Sequence, residues 1–445
     1  MQNKNEFAKV KGKAHGGIHP KHYKNTANCK TVIMPQKSKV LIPMQQHIGV
    51  PCTPMVSVGD KVYVGTKIGD CEKYISAPIH SSVSGTVTAI KPATLTNGVI
   101  VDAVEIECDG LATPDPELKP HPVTTPQELA TAVREMGLVG LGGAGFPTHV
   151  KLSPQPDKPL TTLIINGAEC EPFITADYRE CIENPSDVMD GIYTLLKILN
   201  FEEVIIGIED NKPEAIDVLY KIASAKEDTE NRVKILKLKS HYPQGAEKVL
   251  IYSATGKQLP LGKLPADIGC VVMNITSVAA IAKYIKTGMP LTAKRLTVDG
   301  GAIREPQNVL VPLGTPISDV IEFCGGFKDN CKKVIVGGPM MGFSIESTDI
   351  PVLKQNNAIL CFSEEQAALP PIDPCIRCGK CADACPMGLV PFNIASALKA
   401  KDIERVEKLG INYCMECGSC AYSCPAKRPI VQAMRSAKAA VRKRG

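Results

Sequence analysis

The chain has 445 residues, 44% hydrophobic and 22% charged, an ordinary globular balance with length for about three domains. It has no Trp and only 9 Phe and 11 Tyr, too little aromatic surface to favour stacking the bases of single-stranded nucleic acid. The net charge of +5 is uneven: residues 1–24 carry six Lys against one Glu, residues 426–445 carry seven Lys or Arg and no acid, and the remainder is net acidic.

Basic ends suit anionic lipid or acidic partner subunits, and equally a solvated tail. The opening MQNKNEF lacks the apolar stretch of a secretory signal. No segment reaches the ~18 uninterrupted apolar residues of a membrane span. The nearest, 270–285, is broken by Asn274, Thr276, Ser277 and Lys283 and reads as a buried strand and helix. A place at a membrane is therefore expected to be peripheral, held by other chains.

After a basic arm at 1–35, residues 36–110 read as all-β. Val58-Gly-Asp-Lys-Val62, Gly65, Ile75-Ser-Ala-Pro78 and Val83-Ser-Gly-Thr-Val87 give short alternating strands with Gly turns. The segment resembles the barrel-sandwich module of biotinyl and lipoyl carriers, but Lys73 stands too near Ala77-Pro78 to be the modified lysine. The module is expected to be structural. Five prolines in 111–126 mark a linker.

Residues 127–289 change rhythm. Apolar strands near 162–166, 203–208, 233–238 and 270–273 alternate with helices near 187–199, 213–224 and 245–254, which predicts a parallel sheet covered by helices. Such sheets bind ligands beyond the strands' carboxyl ends, where Asn166-Gly-Ala-Glu169 falls. Short strands return over 290–362, with a helix near 317–324, resembling the β-grasp module called SLBB. Residues 363–430 hold the cysteine runs, with one joining helix expected near 392–410, and 431–445 is a basic tail.

Gly140-Leu-Gly-Gly-Ala-Gly-Phe-Pro-Thr148 matches the dinucleotide expression GxGxxG, but the preceding residues 126–136 look helical and the Rossmann context fails. Its physical content survives: small residues let backbone N–H groups approach a flat ring or a phosphate. A glycine-rich hinge is the bland alternative. His15, His19 and His22 crowd one loop and, without a fourth ligand at metal spacing, read as a polar loop docking on a neighbour.

Eight of the 18 cysteines form one motif written twice: Cys375-x2-Cys378-x2-Cys381-x3-Cys385-Pro386 and Cys414-x2-Cys417-x2-Cys420-x3-Cys424-Pro425. In such runs three thiolates bind one cube and the fourth crosses to the other. This assigns Cys375, Cys378, Cys381 and Cys424 to one [4Fe–4S] cluster, and Cys414, Cys417, Cys420 and Cys385 to the second. A zinc ribbon needs fewer cysteines, and a disulfide framework does not suit a chain of this size without a secretory signal. The other ten cysteines show no CxxC spacing and read as small hydrophobes.

The order of the glycine loop, Lys151, Asn166-Gly-Ala-Glu169-Cys-Glu171-Pro172, Tyr242-Pro-Gln-Gly245-Ala-Glu247 and Asn274-Ile-Thr-Ser277 is similar to the flavin- and NADH-binding subunit of respiratory complex I. With His15-Gly-Gly-Ile-His-Pro20 and the twin cysteine motif, essentially the whole chain resembles the C subunit of Rnf ion-translocating electron transport complexes. The resemblance implies a multidomain α/β and α+β fold: a lipoyl-like barrel-sandwich module, a Rossmann-like FMN/NADH domain, an SLBB β-grasp module and a two-cluster ferredoxin-like domain. It implies that Gly142, Gly143, Ala144 and Gly145 pass beneath FMN and nicotinamide. Lys151, Asn166 and Glu169 would bond the flavin, and Tyr242, Gly245, Glu247, Asn274 and Ser277 would complete its cavity and phosphate end. Phe146 would stack on adenine and Glu171 would bond the nicotinamide amide. The chain departs from complex I at Pro154, where a second aromatic belongs, at Ala168, where an Asp belongs, and in having motifs for two clusters.

Flavin links hydride chemistry to one-electron clusters, so no acid–base dyad is required and no protein side chain is expected to be catalytic. The resemblance implies an enzyme subunit at the cytoplasmic side of the cell membrane. It would pass electrons between NAD(H), FMN, two [4Fe–4S] clusters and, through partner subunits, ferredoxin, coupled to Na+ or H+ movement. The alternative is an iron–sulfur relay with a vestigial flavin fold. A quinone reading, from similarity to the A subunit of Na+-translocating NADH:quinone reductases, is opposed by the twin cysteine motif, which that subunit lacks.

Overall fold

The computed structural model describes residues 7–153, 158–225 and 232–444. Pro154 lies outside the described residues. Among those described, no helix is long and apolar enough to cross a membrane.

The N-terminal segment is no free arm. Ala8 N–H donates to Ile235 O, Gly17 N–H to Ala384 O (3.0 Å), and Ile18 pairs with Tyr242. Its strand β1 (Val32–Ile33) then adds in parallel to the edge of a distant sheet, Val32 facing Val309. The segment crosses the flavin, cluster and SLBB modules, docking the histidine loop within its own chain: the His19 and His241 rings lie 4.8 Å apart.

The barrel-sandwich module contains β2 (Lys39–Pro43), β3 (Thr53–Pro54), β4 (Lys61–Val62), β5 (Lys67–Asp70), β6 (Ile79–His80), β7 (Gly85–Thr94) and β8 (Ile100–Cys108). Two antiparallel sheets, ordered β2-β8-β7-β4 and β3-β5-β6, close on a core that includes Ile42, Ile68, Val87 and Ile106. The strand expected at Ile75–Pro78 starts instead at Ile79, because the preceding turn is held by Ser76 Oγ bonding back to Cys71 and Lys73 carbonyls. Lys73 is exposed on that turn.

The flavin-type domain opens with α1 (Pro126–Glu135), whose Thr125 and Glu128 form a reciprocal cap, and α2 (Thr148–Leu152). It continues with β9 (Thr162–Gly167), α3 (Ala176–Glu183), α4 (Pro185–Leu199), β10 (Glu203–Glu209), α5 (Pro213–Ala225), β11 (Val233–Leu238), α6 (Glu247–Thr255), β12 (Cys270–Asn274) and α7 (Ile275–Thr287). Its sheet is wholly parallel in the order β11-β10-β9-β12, covered by helices on both faces as runs such as TLIING and EVIIGIE require. Helices α2 and α3 were not expected: one has five residues, and the other mixes four charges into eight positions without a side-chain N-cap.

The SLBB region holds β13 (Ala293–Asp299), β14 (Gln307–Pro312), α8 (Ile317–Phe323), β15 (Cys331–Val336), β16 (Phe343–Ile345) and β17 (Ala358–Ser363), with β1 as its edge. The cluster region follows: α9 (Glu364–Ala367), α10 (Lys380–Asp383), α11 (Pro391–Lys399), α12 (Ile403–Lys408), α13 (Ser419–Tyr422) and α14 (Ile430–Arg444). The single helix expected over 392–410 is two. Lys401 turns left-handed at φ +58, and Asp402 caps α12 by accepting from Arg405 N–H at 3.0 Å. The expected basic tail is α14, whose buried Ile430, Val431, Met434 and Ala437 close the cluster region's core.

Candidate functional site

The glycine loop joins α1 to α2 as a closed turn. Gly140 N–H donates to Phe146 O at 2.9 Å, Val139 pairs with Pro147, and Ile48 N–H of the barrel-sandwich module holds Gly145 O at 3.0 Å. Gly142, Gly143 and Ala144 face solvent, and Gly145 is left-handed at φ +71. Two neighbouring glycines differ in why they lack a side chain. A Cβ on Gly142 would lie 2.8 Å from Asn274 Nδ2, so the fold itself excludes it. A Cβ on Gly143 would meet nothing within 4 Å. No described neighbour requires glycine there, and the bare backbone leaves room for a flat ligand.

Facing the loop are the carboxyl ends of β9 and β12. Asn166 Nδ2 donates to Gly245 O at 2.8 Å, and its Oδ1 accepts from Ala168 N–H at 3.2 Å. A Cβ on Gly245 would lie 3.3 Å from Ala168 Cβ and 3.4 Å from Cys170 Sγ, so this wall is tight. Asn274 caps α7, accepting from Thr276 N–H and Ser277 N–H, and donates to Asp177 at 2.7 Å. Ser277 Oγ is buried without a partner among the described residues, in the first turn of a 13-residue helix. An unpaired hydroxyl beside a positive helix end fits a phosphate oxygen. Lys151 Nζ reaches Val272 O at 3.2 Å and Glu247 at 3.5 Å. The residues present fit a flavin nucleotide.

Other predicted residues also make contacts within the chain. Glu169 is left-handed (φ +47) and its carboxylate caps α3, accepting from Asp177 N–H at 2.6 Å. Burial raises its pKa and lowers that of Lys24, its half-buried neighbour. Glu171 turns toward the SLBB region, accepting from Met340 N–H at 3.1 Å, and burial pushes its carboxyl up to about 7. Tyr242, only 1% exposed, donates its hydroxyl to Cys417 O at 2.7 Å. That bond ties the flavin domain to the second cysteine run. Phe146 is half-buried, with no ring stacked on it among the described residues.

The eight thiols surround two cavities in two fours. Cys375, Cys378, Cys381 and Cys424 line one, with Ile376, Arg377, Lys399 and Arg428 at its rim. Cys385, Cys414, Cys417 and Cys420 line the other. The fourth cysteine of each run crosses to the other run's cavity, as the spacing predicts. Among the described residues no three His, Cys, Asp or Glu side chains converge as on a single metal ion; each four rings a space instead. Leu389 N–H and Glu416 N–H donate to Cys385 Sγ and Cys414 Sγ, both at 3.4 Å, the kind of bond that tunes a cluster. Burial pushes the Cys420 thiol up to about 12, so binding iron as thiolate would release protons.

The two cavities differ in setting. Cys375 and Cys378 are exposed, whereas Cys417 is buried against Ile18, Tyr242 and Ala384, and Cys385 and Cys420 are buried in the cluster region's own core. Sequence reasoning missed Lys24 and Lys212, whose ammonium groups bind backbone carbonyls of the loop after β9. No local pattern marks either one.

Four family descriptions match along the chain: the RnfC barrel-sandwich hybrid domain (residues 12–111), the Nuo51 FMN-binding domain (133–283), the SLBB domain (295–344) and the 4Fe-4S dicluster domain (374–427). The chain is 44% identical to the C subunit of the Na(+)-translocating ferredoxin:NAD(+) oxidoreductase complex of Acetobacterium woodii, covering 95% of this chain and 96% of that one. It is 45% identical to the C subunit of the proton-translocating ferredoxin:NAD(+) oxidoreductase complex of Clostridium ljungdahlii, with 97% and 94% covered. It is 40% identical to the C subunit of an ion-translocating oxidoreductase complex of Rhodobacter capsulatus, with 96% and 83% covered. Among solved structures, an air-oxidized NAD+-reducing [NiFe]-hydrogenase shares the fold, with TM-score 0.50, 20% identity, and 71% of this chain and 64% of that one covered. An FMN-binding domain and a 4Fe–4S dicluster domain in one chain, behind a barrel-sandwich module of the RnfC type, place this protein in the RnfC family, the C subunits of ion-translocating Rnf oxidoreductase complexes.

Proposed function

We propose that this chain is the NAD(H)- and FMN-binding iron–sulfur subunit of a membrane-bound ferredoxin:NAD+ oxidoreductase, coupled through partner subunits to Na+ or H+ movement. One observation carries the reading: a bare glycine loop lies against the Asn274 cap of α7, where the Ser277 hydroxyl has no partner among the described residues, in a domain that Tyr242 bolts to the inner of two four-thiol cavities. Bound flavin supplies the conversion between two-electron hydride chemistry and single-electron transfer.

The chain's residues divide the remaining work. Gly142 to Gly145 offer backbone to the ring and nicotinamide, Phe146 a face for adenine, and Glu171 an acceptor for the amide. Asn166, Lys151 and Glu247 with Gly245 form the facing wall, Glu169 anchors that wall through α3, and Asn274 with Ser277 takes the phosphate. Cys385, Cys414, Cys417 and Cys420 hold the inner cluster, and Cys375, Cys378, Cys381 and Cys424 the outer. The inner set meets the flavin domain at Cys417 and the outer set reaches the surface at Cys375 and Cys378, so the path runs from flavin loop to inner cavity to outer cavity. The exposed outer edge, with Arg377, Lys399 and Arg428, suits an acidic iron–sulfur partner subunit through which ferredoxin is reached. The work is assigned to the cytoplasmic side of the membrane.

Anaerobically prepared chain is expected to hold two tetranuclear clusters and one acid-releasable FMN that bleaches with NADH. Intact clusters with no flavin after anaerobic reconstitution would favour the relay reading instead.

A further inference from the structure

Three consecutive residues of the N-terminal segment grip one loop of the flavin domain. That loop, residues 169–174, leads from the carboxyl end of β9 toward α3. Two of its residues, Glu169 and Phe173, are left-handed without being glycine, at φ +47 and φ +70. L side chains adopt that region rarely, so the loop needs external support. Lys24 supplies it. Its Nζ donates to Glu169 O (2.9 Å), Glu171 O (2.9 Å) and Ile174 O (2.5 Å), which uses all three ammonium protons on one stretch of backbone. Beside it, His22 O accepts from Phe173 N–H at 2.9 Å. The Tyr23 ring stacks on Phe173 at 4.9 Å and 11°. From the other side Lys212 Nζ holds Ala168 O at 2.6 Å.

We infer that Lys24 is a positioning residue for the flavin: through the 169–174 backbone it sets the wall that Asn166, Ala168 and Glu169 form. The basic start of the chain is then a working part of the nucleotide site, although Lys24 need not touch the nucleotide. This inference rests on the reading that FMN lies between that wall and the glycine loop.

The test uses the full chain, reconstituted anaerobically with iron, sulfide and FMN, as wild type, Lys24→Met, Lys24→Arg and Lys11→Ala. Lys11 pairs with Glu203 at 3.5 Å, tying the same segment to β10 well away from the loop. Lys24→Met is expected to raise the FMN dissociation constant at least tenfold, read by quenching of flavin fluorescence, and to speed amide exchange across 169–174. Its iron content should stay that of wild type. Lys24→Arg, which keeps several donors, should recover most of the affinity, and Lys11→Ala should bind like wild type. Wild-type affinity in Lys24→Met overturns the inference. So does an equal loss in Lys11→Ala, because attachment of the segment would then be the cause. If Lys24→Met does not fold, Lys24→Gln replaces it, and a wild-type constant in that variant is equally fatal. Failure of the unsubstituted chain to bind FMN would instead strike the flavin reading itself, and the inference with it.

Discussion

Gly143 separates the ligand's demands from the fold's. Its Cβ position is open to 4 Å and its φ is not left-handed. Gly143→Ala should therefore leave the folded chain unstrained and stabilise it by about 0.4–1 kcal/mol through the unfolded state. With a flat ring seated on that backbone, an added side chain displaces it by about 1 Å, a misplacement that costs on the order of 10²-fold, or about 2.7 kcal/mol. Gly143→Leu should then abolish NADH oxidation with iron intact. Gly142→Ala is the contrasting neighbour: its methyl would press Asn274 Nδ2 at 2.8 Å and disturb the cap of α7. That variant should lose about 1 kcal/mol of stability as well as flavin. The assays are urea midpoints, flavin binding and NADH-driven bleaching on anaerobic protein. Unchanged NADH turnover in Gly143→Leu would refute the argument and move the flavin elsewhere.

Three further outcomes are expected. Cys385→Ala should lose the cluster of Cys414, Cys417 and Cys420 and keep most iron of the other; selective loss of the cluster of Cys375, Cys378 and Cys381 would contradict the crossed pairing. After brief exposure to air and then iodoacetamide, mass spectrometry should find Cys375 and Cys378, both exposed, alkylated before the buried Cys385, Cys417 and Cys420; even labelling of all five would refute the distinction between the cavities. Burial raises Glu171 from its ordinary 4.5 to about 7, opposed by the facing Lys24 and Tyr242, so the folded chain holds that proton more tightly than the unfolded one. Its stabilising share is full below the unfolded value and is lost as pH rises through about 7. Urea midpoints should thus be lower at pH 8 than at pH 6, and Glu171→Gln should flatten the difference; an unchanged slope in that variant would assign it to other groups.

Short-range chemistry was the legible part. The doubled cysteine spacing encodes the crossed arrangement because both the loop that bends three thiols inward and the Pro that ends it are local. The four parallel strands could be read to within a residue or two because three carry continuous apolar runs and the edge strand VKILKL mixes apolar residues with Lys between turns. What escaped is long-range. Lys24 meets Glu169 across 145 positions and Tyr242 meets Cys417 across 175, and no periodicity marks either pair. The polar atoms of Glu169 and Tyr242 bond a helix end and a cysteine run, contacts that no local pattern announces. The break at Lys401 escaped because Ala400-Lys401 carries good helix formers and only the Asp402 cap opposes them.

The pairing of β1 with β14, and of Gly17 N–H with Ala384 O, carries a consequence for biosynthesis. Gly17 and Val32 leave the ribosome long before their partners Ala384 and Val309 are made. At cellular elongation rates that is a delay of roughly 15–70 s. Until then the contacts of Ala8 and Ile18 with Ile235 and Tyr242 hold the segment on the flavin domain alone. The full seat of the segment is therefore expected only once the cysteine region has been made, with iron loading of that region helping to fix it.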